Sequence, residues 1–403
     1  MSKIKNILVL APEYPADDLP KTTTPVVHYF CKEWVKMGIN VVVINYMSNF
    51  PSIYYSLTRP IVNIISSKEG FHIRTERAKE ICYTKDNVLI KRVLLTKYLP
   101  HSRYSKKQIN EAVKQTISFC DTIAFIPDIV VGHWSDPCLD IFPGLKAKWS
   151  CPVALSVHGT YACLFARYKH DAELLLKNVD ILGFRSNPIM NSFKKSIHGM
   201  KPGFLCYSGI PDKYILDSKS HVFSRVKSYI FIGTLIKRKY PAEIIPALVN
   251  CYPNKDFTIT YIGKGQEEKS IYKFAKLYSL SDQVRMLGRL NRDDVVSQLE
   301  KADVLVMNSS DETFGLVYLE AMAAGCIVVA SYEEGFDGII INGKNGFLCK
   351  AGDTEDLSKT IKIIKNLSSK ELHEISKNAI LTARSMTESK VARIYLSNLE
   401  TLL

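Results

Sequence analysis

The feature that most constrains this chain is a rhythm of short, unbroken apolar runs separated by helical patterns. Ile7–Ala11, Val41–Asn45, Ile129–Val131, Val153–Val157 and Ile181–Phe184 are rich in β-branched residues and lack polar alternation. Strands of that kind have both faces covered, as in a parallel sheet flanked by helices. Between the first two runs, His28–Met37 has helical spacing and stops at Gly38, a suitable C-cap. Strand, helix and strand in that order make a βαβ unit and predict a doubly wound sheet.

The pattern then restarts. Tyr229–Ile232, Thr258–Ile262, Val304–Met307 and Ile327–Ala330 read as strands, and Glu267–Tyr278, Arg292–Lys301 and Leu316–Ala324 as helices. A Pro- and Gly-bearing stretch at Pro202–Tyr214 suits a hinge. The expected architecture is α/β, with two Rossmann-like doubly wound domains over 1–205 and 206–386. Helical residues 387–403 follow and could cap either half, crossing back to the first in one arrangement.

Charge divides unevenly. The chain carries +13 over 403 residues; residues 1–205 hold 27 Lys+Arg and 16 Asp+Glu (27 − 16 = +11), the remainder 26 and 24 (26 − 24 = +2). Such a field attracts nucleic acid, acidic lipid or a phosphorylated substrate, and serves equally as a solvated surface. Residues 48–110 mix basic, apolar and aromatic residues, as in Val88–Leu95 and Arg103–Lys107. They read as a basic, amphipathic excursion from the sheet, suited to an anionic membrane or to an ordinary surface helix. No run approaches 18 apolar residues, and the first run is too short for a signal-peptide core, so a cytoplasmic location is expected. The ten cysteines include no C-x-x-C pair; Cys82, Cys120, Cys151 and Cys326 read as buried, inert thiols, and no metal is expected.

The densest chemical signal is Asp311–Gly325, which follows the strand ending at Met307 and opens a helix. Ligands of open α/β sheets bind at such strand ends. Gly315 admits close backbone approach, and the amides of Phe314, Gly315 and Leu316 suit a diphosphate at the helix tip. Glu312 precedes the helix, and Glu320 lies eight residues on in an apolar stretch, where a carboxylate needs a partner. A cap and a satisfied core residue are the plain alternatives.

Glu312 and Glu320, with seven residues between them and Ala321-Met322-Ala323-Ala324-Gly325 following, resemble the E-x7-E element of family 4 of the retaining glycosyltransferases, a resemblance that runs over nearly the whole chain. It implies the GT-B fold, two Rossmann-like domains facing across a cleft, with a nucleoside-diphosphate sugar as substrate and no cofactor. Glu312 would contact the donor sugar and Glu320 the ribose. The segment Tyr229–Lys239 resembles the family's strand-Gly-Arg-Leu…Lys-Gly element and places Lys239 as the phosphate-binding lysine, beside Gly233, Thr234 and Arg238. Thr234 replaces the usual arginine and Tyr240 the usual glycine. In the first half His158 matches the Thr-x-His-Gly/Asp segment as a donor-sugar contact, and His133-Trp134 matches a cleft-shaping pair. Lys21–Thr24, with Thr23 a cleft candidate, lacks the family's glycine pair, and Gly335–Ile340 departs from Gly-x-Pro-Glu-x-Val.

The resemblance implies retaining transfer of a sugar to a hydroxyl of a glycan or lipid-linked acceptor, in a surface-polysaccharide setting and peripheral to an anionic membrane. Catalysis would rest on Glu312, His158 and Lys239. A GT-B sugar-nucleotide epimerase and, more remotely, a basic nucleic-acid-binding protein are the competing readings. No G-x-G-x-x-G follows the first strand and no nucleic-acid-reading motif stands out, so a dinucleotide oxidoreductase and a nucleic-acid partner are disfavoured.

Overall fold

A computed structural model describes residues 2–19, 25–58, 74, 76–99, 102–215 and 223–403. Its described residues form two compact units. One holds residues up to 58, those from 74 to 208, and 388–403; the other holds 209–387.

The first unit is built on an eight-stranded sheet: β1 (Asn6–Ala11), β2 (Asn40–Asn49), β3 (Cys82–Lys85), β4 (Val88–Thr96), β5 (Ile129–His133), β6 (Val153–Val157), β7 (Ile181–Phe184) and β8 (Gly203–Leu205), in the order β3-β4-β2-β1-β5-β6-β7-β8. All neighbours are parallel except β3 and β4, a hairpin that turns through the left-handed residues Asp86 and Asn87. Each of β1, β5 and β6 is buried over nearly its whole length, as their unbroken apolar runs require. The helix Val26–Lys36 ends at Met37, and Gly38 then takes φ +86°, the left-handed conformation that lets the chain turn into β2. The helix Glu388–Leu399 belongs to this unit. Trp34 Nε1 donates to Ala392 O at 2.9 Å, Lys32 pairs with Glu388 at 2.9 Å, and the Tyr395 hydroxyl meets Ser156 Oγ at 2.7 Å.

The second unit has a six-stranded, all-parallel sheet: β9 (Ser228–Ile232), β10 (Thr258–Ile262), β11 (Val284–Gly288), β12 (Val304–Val306), β13 (Ile327–Ser331) and β14 (Phe347–Cys349), ordered β11-β10-β9-β12-β13-β14. Counted within the unit this is 3-2-1-4-5-6, the Rossmann order. The shared order of the two units is the structural counterpart of the restarting rhythm.

The reading of 48–110 as an excursion from the sheet is corrected for Val88–Thr96. This run is β4, paired with β2 from Val42↔Leu89 to Asn49↔Thr96. The basic residues misled because their charges are answered from elsewhere in the fold. Arg92 is fully buried and gives its two guanidinium nitrogens to Asp18 at 2.6 and 2.7 Å. Lys91 pairs with Glu80, and Lys97 with Asp136. Arg103 bridges Asp140 and Asp171. Farther along, the Lys106–Thr122 helix is fixed by a capping box between Ser105 and Gln108. Cys82 is also corrected: it lies exposed on edge strand β3, whereas Cys120, Cys151 and Cys326 are buried. Residues 59–73 of the supposed excursion lie outside the described residues. None of the described helices is long and apolar enough to cross a membrane.

The Arg92–Asp18 pair carries a testable cost. The hydrogen bonds from Arg92 hold the Asp18 carboxyl below its usual range. Asp18→Asn leaves a buried guanidinium without its anion and is expected to lower the unfolding free energy by about 1–3 kcal/mol. Because the folded pKa is depressed, this contribution is present above the unfolded value and is lost as pH falls through the folded one. Urea unfolding should therefore show the deficit at pH 7 and its shrinkage below about pH 4.

Candidate functional site

In the second unit β9 and β12 are neighbours, yet their onward connections run to opposite sides of the sheet. The loops leaving their carboxyl ends stand at the topological switch point, where such sheets take ligands. Two sequence motifs converge there. After β9 come Gly233, the half-buried Thr234 and the short 3-10 turn Lys237–Lys239. After β12 come residues 307–315 and the helix Leu316–Ala323.

Glycines set the close approaches. A Cβ on Gly263 would lie 1.8 Å from the carbonyl oxygen of Gly233, so the loops after β9 and β10 touch backbone to backbone. A Cβ on Gly315 would lie 2.4 Å from the Tyr318 ring, and its φ of +86° is one that side chains rarely adopt. Tyr318 is buried and donates to Met307 O at 2.8 Å, locking the helix start onto the end of β12. Tyr240, which takes the place of the family's glycine, still adopts the left-handed conformation at φ +46°. Gly352 makes room for its ring, since a Cβ there would lie 2.7 Å away.

Lys239 and Glu312 meet directly, with Nζ 3.2 Å from Oε2 and both side chains mostly buried. Arg238 does not reach the same place. Its guanidinium donates to the carbonyls of Ser310 at 3.1 Å and Asp311 at 3.2 Å, so it straps the two loops together. Phe314 is a buried anchor, edge-on to Phe336 with ring centres 5.4 Å apart, while Leu316 is half-buried in the first helical turn. First-turn amides have no acceptor inside their helix and carry the positive end of its dipole. An ammonium held by a carboxylate beside such a helix start can bind an anion.

Glu320 has a protein partner, Arg292, whose Nε donates to Oε1 at 2.7 Å. The Arg292 guanidinium lies 5.1 Å from the Tyr214 ring centre. Burial pushes the Glu320 carboxyl up, and Arg292 opposes the rise. Glu334, which the motif reading passed over, accepts from the amides of Asp311 at 3.0 Å and Glu312 at 2.7 Å. Burial raises its pKa, the two amides lower it, and the charges of Asp311 and Glu312 raise it again. The only sequence signal for Glu334 was an acidic pair just beyond β13 and ahead of Gly335. Arg292 gave none, because its partner is 28 residues away.

The first unit repeats the geometry at its own order reversal, between β1 and β5. His133 ends β5, Trp134 follows at φ +62°, and His158 follows β6. His133 Nδ1 lies 3.2 Å from His158 Nε2, and Trp134 stacks on His158 at 3.9 Å and 17°. Burial first, then the Arg185 charge, pushes His133 down to about 3; the same two causes, with His133 added, hold His158 well below the ordinary range. Both rings are neutral at pH 7, so they act as hydrogen-bonding groups and not as cations. Thr23 lies outside the described residues.

Residues 215–382 match the family described as glycosyl transferases group 1. An uncharacterized glycosyltransferase of Methanocaldococcus jannaschii is 27% identical over 335 residues, 80% of this chain and 89% of that protein. An alpha-monoglucosyldiacylglycerol synthase of Acholeplasma laidlawii is 30% identical over 176 residues, 43% of this chain and 42% of that protein. Among solved structures, trehalose-6-phosphate from E. coli bound with UDP-2-fluoro glucose superposes with a TM-score of 0.71 at 12% identity, covering 98% of this chain and 99% of the other.

Arg292→Leu should isolate the Glu320 carboxylate and cost about 3 kcal/mol, the low end for breaking a buried pair. The folded pKa of Glu320 then rises further above the unfolded value, so the native state holds a proton that the unfolded state releases. Stability lost to the substitution therefore grows as pH rises, and urea unfolding should show a larger deficit at pH 8 than at pH 5. With both halves of the chain accounted for, this is a two-domain α/β protein of the GT-B fold whose residues 215–382 match the model of the group 1 glycosyl transferases.

Proposed function

We propose that this chain is a retaining glycosyltransferase of family 4 type, which moves a sugar from a nucleoside diphosphate to an acceptor hydroxyl. The observation that carries the reading is the Lys239–Glu312 pair, 3.2 Å apart at the switch point, beside the glycine-opened helix at Gly315. In such a transfer the hard event is departure of the diphosphate as the sugar becomes cationic. Charge stabilisation at the leaving group is then the largest catalytic term. Lys239 and the amides of the helix start supply it without a metal, and turnover that persists in a chelator is expected.

The carboxylates support retention by same-face attack, with the departing phosphate taking the acceptor proton. Glu312 is engaged with a lysine, and Glu320 with Arg292 two helical turns away. They do not form the nucleophile and acid pair of a double displacement. Glu312 orients the donor sugar and keeps Lys239 in place. Glu320 offers its second oxygen to the ribose. In the first domain, His158 on its Trp134 platform is a group that can hydrogen-bond hydroxyls.

The acceptor is lipid-linked or membrane-proximal, in a surface-polysaccharide role. Two facts support this: the +11 of the first 205 residues, and the lipid glycosyl synthase among the relatives. Each basic residue near an anionic leaflet contributes about 1 kcal/mol of attraction. The internal ion pairs of Arg92, Lys97 and Arg103 reduce the number available for it.

Turnover of a panel of nucleoside-diphosphate sugars with lipid and glycan acceptors tests the reading. Lys239→Ala should lower kcat about a hundredfold, the usual cost of losing one charge-stabilising donor. Full turnover in Glu312→Ala would sink the assignment, and release of an altered nucleotide sugar without acceptor would identify an epimerase instead. For the membrane, flotation should recover the protein with anionic vesicles in preference to neutral ones; equal recovery counts against a leaflet partner.

A further inference from the structure

We propose that Glu334 is a positioning residue that splints the loop carrying Glu312, leaving the Glu312 carboxylate available to Lys239 and to substrate. The inference rests on the transferase reading above. Residues 310–314 lie within the connection from β12 to the helix at Leu316 and are held from two sides. Arg238 takes the carbonyls of Ser310 and Asp311, while the two oxygens of Glu334 take the amides of Asp311 and Glu312. Donors and acceptors of the loop backbone are thus answered by side chains from two different segments.

A second observation is how closely the two segments pack. Gly335 packs so closely that a Cβ would lie 2.5 Å from Phe314 N and 2.6 Å from Thr313 C. The chain carrying Glu334 is therefore pressed against the loop, and its carboxylate sits on consecutive amides with little freedom to leave. Asp311, at φ +54°, turns those amides to the same side. A loop in this conformation presents its N–H groups to any anion, and here an internal carboxylate occupies them. Glu312 has no need to fold back onto its own backbone, and its side chain extends to Lys239.

Glu334→Gln puts a donor where the loop needs an acceptor, and tests the proposal in the full-length chain. A misplaced catalytic group costs about tenfold to a hundredfold in rate. The expected result is a fall in kcat of that size with donor KM nearly unchanged, together with faster hydrogen exchange at the Asp311 and Glu312 amides. Glu334→Asp, which restores an acceptor on a shorter arm, should recover part of both and covers the case in which the glutamine variant does not fold. Wild-type kcat with unchanged exchange in either variant would overturn the proposal. So would a raised donor KM at normal kcat, which would make Glu334 a substrate contact. The exchange readout needs no turnover, so it stands even if Glu312→Ala removes the transferase reading.

Discussion

The adjacency of β9 and β12 is the constraint on which the rest of the second domain depends. Parallel strands need long right-handed crossovers, and a sheet that grows from its middle in both directions must send those crossovers to opposite faces. The two loops at the point of reversal therefore leave adjacent strand ends, the topological switch point of the sheet. Lys239 comes from one loop and Glu312 from the other, so their pairing exists only because the strand order brings these two ends together. Gly263 and Gly315 matter for the same reason: backbone and ring atoms stand where a side chain would otherwise be.

Three carboxylates lie close to that switch point, and each is satisfied by a different chemistry. Glu312 meets an ammonium, Glu320 a guanidinium, and Glu334 a pair of backbone amides. A buried carboxylate without such a partner would take up a proton or unfold its surroundings. The partners differ in kind: a flexible ammonium for Glu312, a planar guanidinium for Glu320, and two fixed backbone amides for Glu334. In the first domain the corresponding reversal carries two imidazoles, His133 and His158, whose pKa values burial lowers, with the Arg185 charge acting the same way.

The positive charge of the first domain looks different once its pairs are traced. Arg92 is an interior residue whose anion arrives on the segment after β1, and Lys97 and Arg167 share Asp136. Charges used in this way set the positions of loops at the carboxyl edge of the sheet. They contribute less to a surface field than a count of lysines and arginines implies.

The sequence by itself determined the fold class. Unbroken β-branched runs can be satisfied only by a sheet covered on both faces, and their restart after residue 205 marks a second sheet. It also fixed the motif neighbourhoods, because Gly315, the Glu312–Glu320 spacing and the lysine of the turn after β9 are local signals with local physical causes. Tertiary structure alone decided the partners. Residues 88–96 read as part of a basic amphipathic excursion, and only their pairing with β2 and the Asp18 partner of Arg92 show them to be an interior strand. Glu320 could await a ribose or a protein cation until α/β packing brought Arg292 to it, and Glu334 had no motif at all. Periodicity and glycine act within a few residues of the chain, whereas an ion pair or an amide clamp is made by segments that only folding brings together.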